Sequence, residues 1–150
     1  MNKEDLSPLD YDLVAAVISE AQKSVLHLDS EVRPPVVSAA LRLADGEVIT
    51  SVNLKADVGC LSICAEPTAI AQAIKQPDNE IEIIVSIYNP KDSEPLVISP
   101  CGSCREFITD YTKDAFVILR EPKSDKLFKV RASELLPLKY VDYWEGDLLV

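Results

Sequence analysis

The chain has 150 residues, 47% of them hydrophobic and 27% charged. That suits one domain spanning residues 1–150, able to bury roughly 70% of its unfolded-chain surface without disulfides, and it excludes a disordered tail. The 25 acidic and 15 basic residues give a formal charge of −10, which argues against a nucleic-acid polymer or an anionic membrane as partner. No apolar run reaches the length of a membrane span, and the opening Met1-Asn2-Lys3-Glu4-Asp5 is wrong for a secretory signal, so a cytoplasmic protein is expected.

In chain order, Ser7, Pro8 and Asp10 form a helix start: a hydroxyl cap, a proline in the first turn and a carboxylate at the third position. Val14, Val17, Ile18, Ala21 and Val25 follow at helical spacing. The helix should fade between His27 and Ser30, before Pro34 and Pro35 force an extended chain. Residues 36–43 and 48–54 read as strands of a hairpin turned at Asp45-Gly46. Residues 64–75 are alanine-rich and read as a helix. Residues 81–88 are rich in β-branched side chains, like a buried parallel strand. A short helix at 104–111, strands at 115–119 and 127–130 and a helical turn at 133–136 complete the order. A hairpin followed by β-α-β units predicts an α/β fold with a mixed five-stranded sheet and helices on both faces.

Four cysteines stand at 60, 64, 101 and 104, and the only histidine is His27. In a reducing compartment such cysteines point to metal or catalysis rather than disulfides. Cys101 and Cys104, three apart at a helix start, can turn toward one ion, and Cys64 at another helix start can supply a third sulfur. Three protein ligands leave zinc one position open for water, the mark of a catalytic site. Glu66, two residues after Cys64, can lie beside that water, take a proton from it and pass it to a departing amine. Three thiolates weaken zinc as a Lewis acid, and two helix N-termini at roughly half a charge each would partly offset this. A redox pair or a structural zinc knuckle explains a lone C-x-x-C equally well, and a lone C-x-E carries almost no signal. Together, with Pro100 before Cys101 and a β-α unit between, they point to a zinc deaminase.

Cys64-Ala65-Glu66 and Ser99-Pro100-Cys101-Gly102-Ser103-Cys104-Arg105-Glu106 resemble the paired motifs of the cytidine deaminase family, over about residues 36–140. Within it the chain looks closest to the blasticidin S deaminases, which share the stretch Glu134-Leu135-Leu136-Pro137-Leu138-Lys139-Tyr140 and the later Trp144-Glu145-Gly146. The resemblance implies a three-layer α/β/α sandwich and one zinc per chain on Cys64, Cys101 and Cys104. It makes Glu66 the proton shuttle and the backbone around Ala65 and Ser99 the holder of the pyrimidine edge. It also implies a homotetramer, or a homodimer, whose sites are completed by neighbouring subunits. The reaction would replace the C4 amine of a cytosine ring by oxygen.

The chain departs from the family at several places. The sugar-binding Asn-x-Glu reads Asn53-Leu54-Lys55, and a lysine donates hydrogen bonds but accepts none from a ribose hydroxyl. It suits a carboxylate or phosphate better, or else faces solvent. Pro35 stands where the family carries a phenylalanine against the base, a role open to Trp144 or Tyr143. Pro67 stands where three-cysteine members carry an arginine, and Arg105 is a candidate to replace it. Cys60 reads as a small buried apolar group, His27 as a bland helix end. The expected substrate is a free cytosine nucleoside or a nucleoside-like compound: cytidine, deoxycytidine or blasticidin S. Another free aminopyrimidine or aminopurine, a polynucleotide, and a purely structural zinc module remain as alternatives.

Overall fold

The computed structural model describes residues 1–26, 36–89, 94–112 and 114–140. His27, Pro35, Tyr143 and Trp144 lie outside them. The first helix, α1 (Pro8–Leu26), starts as the sequence predicts: the Ser7 amide donates to Asp10 Oδ2 at 2.9 Å and the Asp10 amide to Ser7 Oγ at 3.3 Å, a reciprocal cap. Next come β1 (Val37–Leu43) and β2 (Val48–Val52). Their turn is closed by the Gly46 amide on the Leu43 carbonyl, with Gly46 at φ +93°, a conformation that glycine adopts freely.

The rest follows as α2 (Ala65–Ala73), β3 (Ile81–Tyr88), β4 (Leu96–Ile98), α3 (Gly102–Tyr111), β5 (Phe116–Arg120) and β6 (Leu127–Arg131). The sheet is mixed and has six strands, not five. Its order is β2-β1-β3-β5-β6, with β4 paired to β3. β3 runs parallel only to β5, through Ile83 and Ile84, and antiparallel to β1 and to β4. The missed strand has three residues, too few for a period to show. It takes the far half of the edge whose near half belongs to β5, and it leads straight into Ser99 and Cys101.

Helices cover both faces. Leu13, Val14 and Val17 of α1 pack on Ala40, Ile83, Val85, Ile87 and Ile118. Ala69, Ile70 and Ala73 of α2 and Ile108 of α3 pack on Leu41, Leu43, Ile84, Val117 and Val130. This alternation along β1 follows the two-residue period of a strand. No described helix is long and apolar enough to cross a membrane.

Candidate active site and metal centre

The site forms where α2 and α3 both begin. Cys64 is the N-cap residue of α2 and Cys101 that of α3. A cap residue usually turns its side chain back to the orphan amides of the first turn; Cys101 does so toward the Cys104 N–H, and both cap sulfurs also face each other. Cys64 Sγ lies 3.9 Å from Cys101 Sγ, and Cys101 Sγ 3.4 Å from Cys104 Sγ. All three lie within 4.8 Å of one another, and among the described residues they form the one group of this kind able to hold a metal. Cys64 and Cys101 are exposed and Cys104 is buried, so the cluster has an open side.

Glu66 is 3% exposed. Its Oε2 accepts from Cys104 Sγ at 3.2 Å and its Oε1 from Ser86 Oγ at 2.9 Å. The carboxylate therefore stands beside the sulfurs, held from the sheet below. Burial pushes the Cys104 thiol far above its ordinary value, and the Glu66 charge adds to this. Burial also raises Cys64, outweighing the Cys104 contact that lowers it. At Cys101 burial again raises, but the Cys104 backbone N–H and the Cys104 and Cys64 thiols together bring the value down.

The other sequence candidates fall around this centre. Ala65 is the first residue of α2, fully buried, and its carbonyl accepts from Ser51 Oγ at 2.6 Å. After β2 the chain leaves the sheet and returns through paired backbone bonds between Leu54 and Ile63, which brings Asn53 and Lys55 to the neck of the loop that ends at Cys64. Asn53 Oδ1 accepts from the Val36 and Val37 amides, both at 2.9 Å, so only its amide nitrogen remains to meet a ligand. Lys55 is exposed. Ser99 is exposed, and its Oγ accepts from Arg105 Nη2 at 3.0 Å.

Arg105 does not temper a sulfur. Its other nitrogens donate to the Pro100 and Leu135 carbonyls at 3.0 and 3.3 Å, which ties the Ser99-Pro100 segment to the C-terminal turn. Cys60 is exposed rather than buried. It sits in a short 3₁₀ turn, Gly59–Leu61, and stands outside the three-sulfur group. Pro67 occupies the first turn of α2, where its missing N–H costs nothing. Ser51 and Ser86 went unnoticed in the sequence. A lone serine among the β-branched residues of β3 is the signal that marks Ser86.

The family model for the cytidine and deoxycytidylate deaminase zinc-binding region matches residues 10–120. The chain is 35% identical over 144 residues to the blasticidin-S deaminase of Bacillus cereus, covering 93% of this chain and 98% of that protein. It is 32% identical over 102 residues to a cytidine deaminase of Halalkalibacterium halodurans, covering 67% and 74%. The fold is that of the cytidine deaminase from Bacillus anthracis, with a TM-score of 0.72 over 88% of this chain and 89% of that one at 23% identity. Three convergent cysteines beside a buried carboxylate suit that company, and the chain belongs to the cytidine and deoxycytidylate deaminase family as a zinc-dependent hydrolytic deaminase.

Proposed function

We propose that the enzyme acts on a free cytosine nucleoside or a cytosine nucleoside-like compound (cytidine, deoxycytidine or blasticidin S), with water in and ammonia out. The observation that carries this reading is the buried Glu66 carboxylate, 3.2 Å from the innermost of three clustered sulfurs. Cys64, Cys101 and Cys104 would hold one zinc ion. Zinc on three protein ligands supplies Lewis-acid activation of water at neutral pH. Glu66 is the proton carrier. Ser86 engages Oε1, so Oε2 takes the proton from the attacking water and delivers it to the departing amine. The backbone at Ala65 and Ser99 holds the pyrimidine edge, with Arg105 fixing the second of these segments.

On the sugar side, Asn53 and Lys55 can only donate: the Asn53 carbonyl is engaged and an ammonium has no acceptor. Two donors favour a carboxylate-bearing sugar, as in blasticidin S, over ribose hydroxyls. Exposed Leu54, Val58, Leu61 and Ile63, at 53, 57, 64 and 47%, lie on the loop that leads to Cys64 and support a homo-oligomer, a tetramer in this family, whose subunits cover this loop. One domain acts in the cytosol, where its cysteines stay reduced.

An ammonia-release screen over cytidine, deoxycytidine, blasticidin S, cytosine and aminopurines tests the reading. Release from at least one cytosine nucleoside-type compound is expected. Release confined to aminopurines, or to single-stranded nucleic acid, replaces it.

A further inference from the structure

Beneath the start of α2 the sheet carries two hydroxyls in one row. Ala39 of β1 pairs with Ser51 of β2 on one side and with Ser86 of β3 on the other. Directly paired residues of antiparallel strands share a face, so all three side chains point at α2. They are 0, 7 and 2% exposed. A buried hydroxyl is costly unless it is bonded, and each of these is bonded to one of two adjacent residues. Ser51 Oγ donates to the Ala65 carbonyl at 2.6 Å, and Ser86 Oγ donates to Glu66 Oε1 at 2.9 Å. Ala39 lies between them with only a methyl, which lets the helix start settle on the sheet.

Glu66 has three side-chain torsions, and a proton carrier must present one oxygen in one direction. Ser86 donates to Oε1 from the sheet, a bond that does not depend on the protonation of any sulfur, whereas the Cys104 thiol that meets Oε2 gives up its proton when it holds a metal. We infer that the Ser51–Ala39–Ser86 row is a positioning platform, with Ser86 orienting the Glu66 carboxylate and Ser51 the Ala65 peptide that faces the ring. This rests on the deaminase reading above and deepens it. A structural hydroxyl would serve folding alone; a positioning one acts on turnover.

The test is steady-state kinetics on the zinc-loaded enzyme, using the best substrate of the screen, with zinc content and melting temperature measured on the same samples. Ser86→Ala should keep its zinc and hold KM within about twofold, while kcat falls roughly 10- to 100-fold, the scale of a small misplacement of a catalytic group. Ser86→Thr keeps the hydroxyl on a strand that favours branching and should restore kcat to within a few-fold. Should the added methyl lower its melting point, Ser86→Cys, which keeps the size with a weaker donor, should give a kcat between those of Ala and parent. Ser51→Ala should raise KM more than it lowers kcat. A Ser86→Ala enzyme with parental kcat, one that loses zinc, or Ala and hydroxyl-bearing variants that fall equally overturn the inference while the deaminase reading stands. A parent that releases no ammonia, or a Glu66→Gln enzyme that turns over normally, overturns the reading and the inference with it.

Discussion

Cys104 Sγ lies 3.2 Å from Glu66 Oε2, across 38 positions of the chain. Both groups are buried, and the contact joins the start of α3 to the start of α2. A thiolate and a carboxylate at that distance repel strongly where water is excluded. That repulsion, added to burial, is why the Cys104 thiol holds its proton so tightly. A dication among the three sulfurs removes the conflict, so metal binding, proton release and the joining of two helix starts are one event.

The purified protein should therefore carry about one zinc per chain. Cys101→Ala should lose it, and since Cys101 is exposed the accompanying drop in melting temperature reports the metal rather than a packing void. Loading zinc into the chelated protein should release protons, because the Cys104 thiol must give one up. Calorimetry in buffers of different ionisation enthalpy measures this. Iron in place of zinc, or full activity without metal, refutes the assignment.

Glu66→Gln keeps the shape and removes the proton acceptor. General acid–base groups contribute roughly 10²–10⁴-fold, and this one serves successive transfers, so kcat should fall by the upper end of that range. Zinc content should stay at the parental level, since the ligands are elsewhere. Near-normal turnover with zinc retained ends the proposed role for Glu66.

The cysteines and Glu66 were legible because the chemistry needs those residue types at those spacings, and α2 announces itself by its alanine content. Long strands were legible too: β3 runs Ile81–Tyr88, as its β-branched run predicts. β4 was not, since three residues show no period, yet it is the strand that delivers Cys101. Arg105 read as a neighbour of the sulfurs, but a long side chain's direction is a tertiary fact, and it turns to carbonyls. The exposure of Cys60 follows from the excursion closed by Leu54 and Ile63, a contact that no local pattern encodes.

Asp10 is fully buried, with Lys129 Nζ at 2.8 Å and Arg42 Nη2 at 3.1 Å. Burial raises its pKa, but Lys129, the Ser7 amide and hydroxyl, and Arg42 outweigh it and hold the carboxyl at about 2, against an ordinary 3.8. The folded value is the lower one, so the stabilisation is present above the ordinary value and is lost as pH falls through about 2. The drop from 3.8 to about 2 corresponds to roughly 2–3 kcal/mol. Asp10→Asn should cost more at neutral pH, about 3–5 kcal/mol, by leaving Lys129 without its counter-ion and Arg42 with only the exposed Glu82 at 3.2 Å. Urea midpoints from pH 7 to 2 measure both. An Asp10→Asn protein with an unchanged acid limb contradicts the account.

Specificity turns on Lys55. It is exposed at the loop neck beside Asn53, whose carbonyl is already engaged by β1, so neither side chain accepts a bond from a sugar hydroxyl. A site built around ribose hydroxyls discriminates sharply because its own polar groups otherwise go unpaired; this one lacks the acceptor. Blasticidin S brings a carboxylate for Lys55 and a cationic arm drawn by the charge of −10. Cytidine should therefore be the poorer substrate by kcat/KM, and Lys55→Glu should move the ratio toward cytidine by roughly tenfold, the worth of one charged hydrogen bond exchanged. The zinc content and the Glu66 dependence of both proteins should be identical. A parent that already prefers cytidine, with a ratio untouched by Lys55→Glu, would mean that Lys55 faces solvent throughout the reaction and that selectivity is set elsewhere on the sugar side.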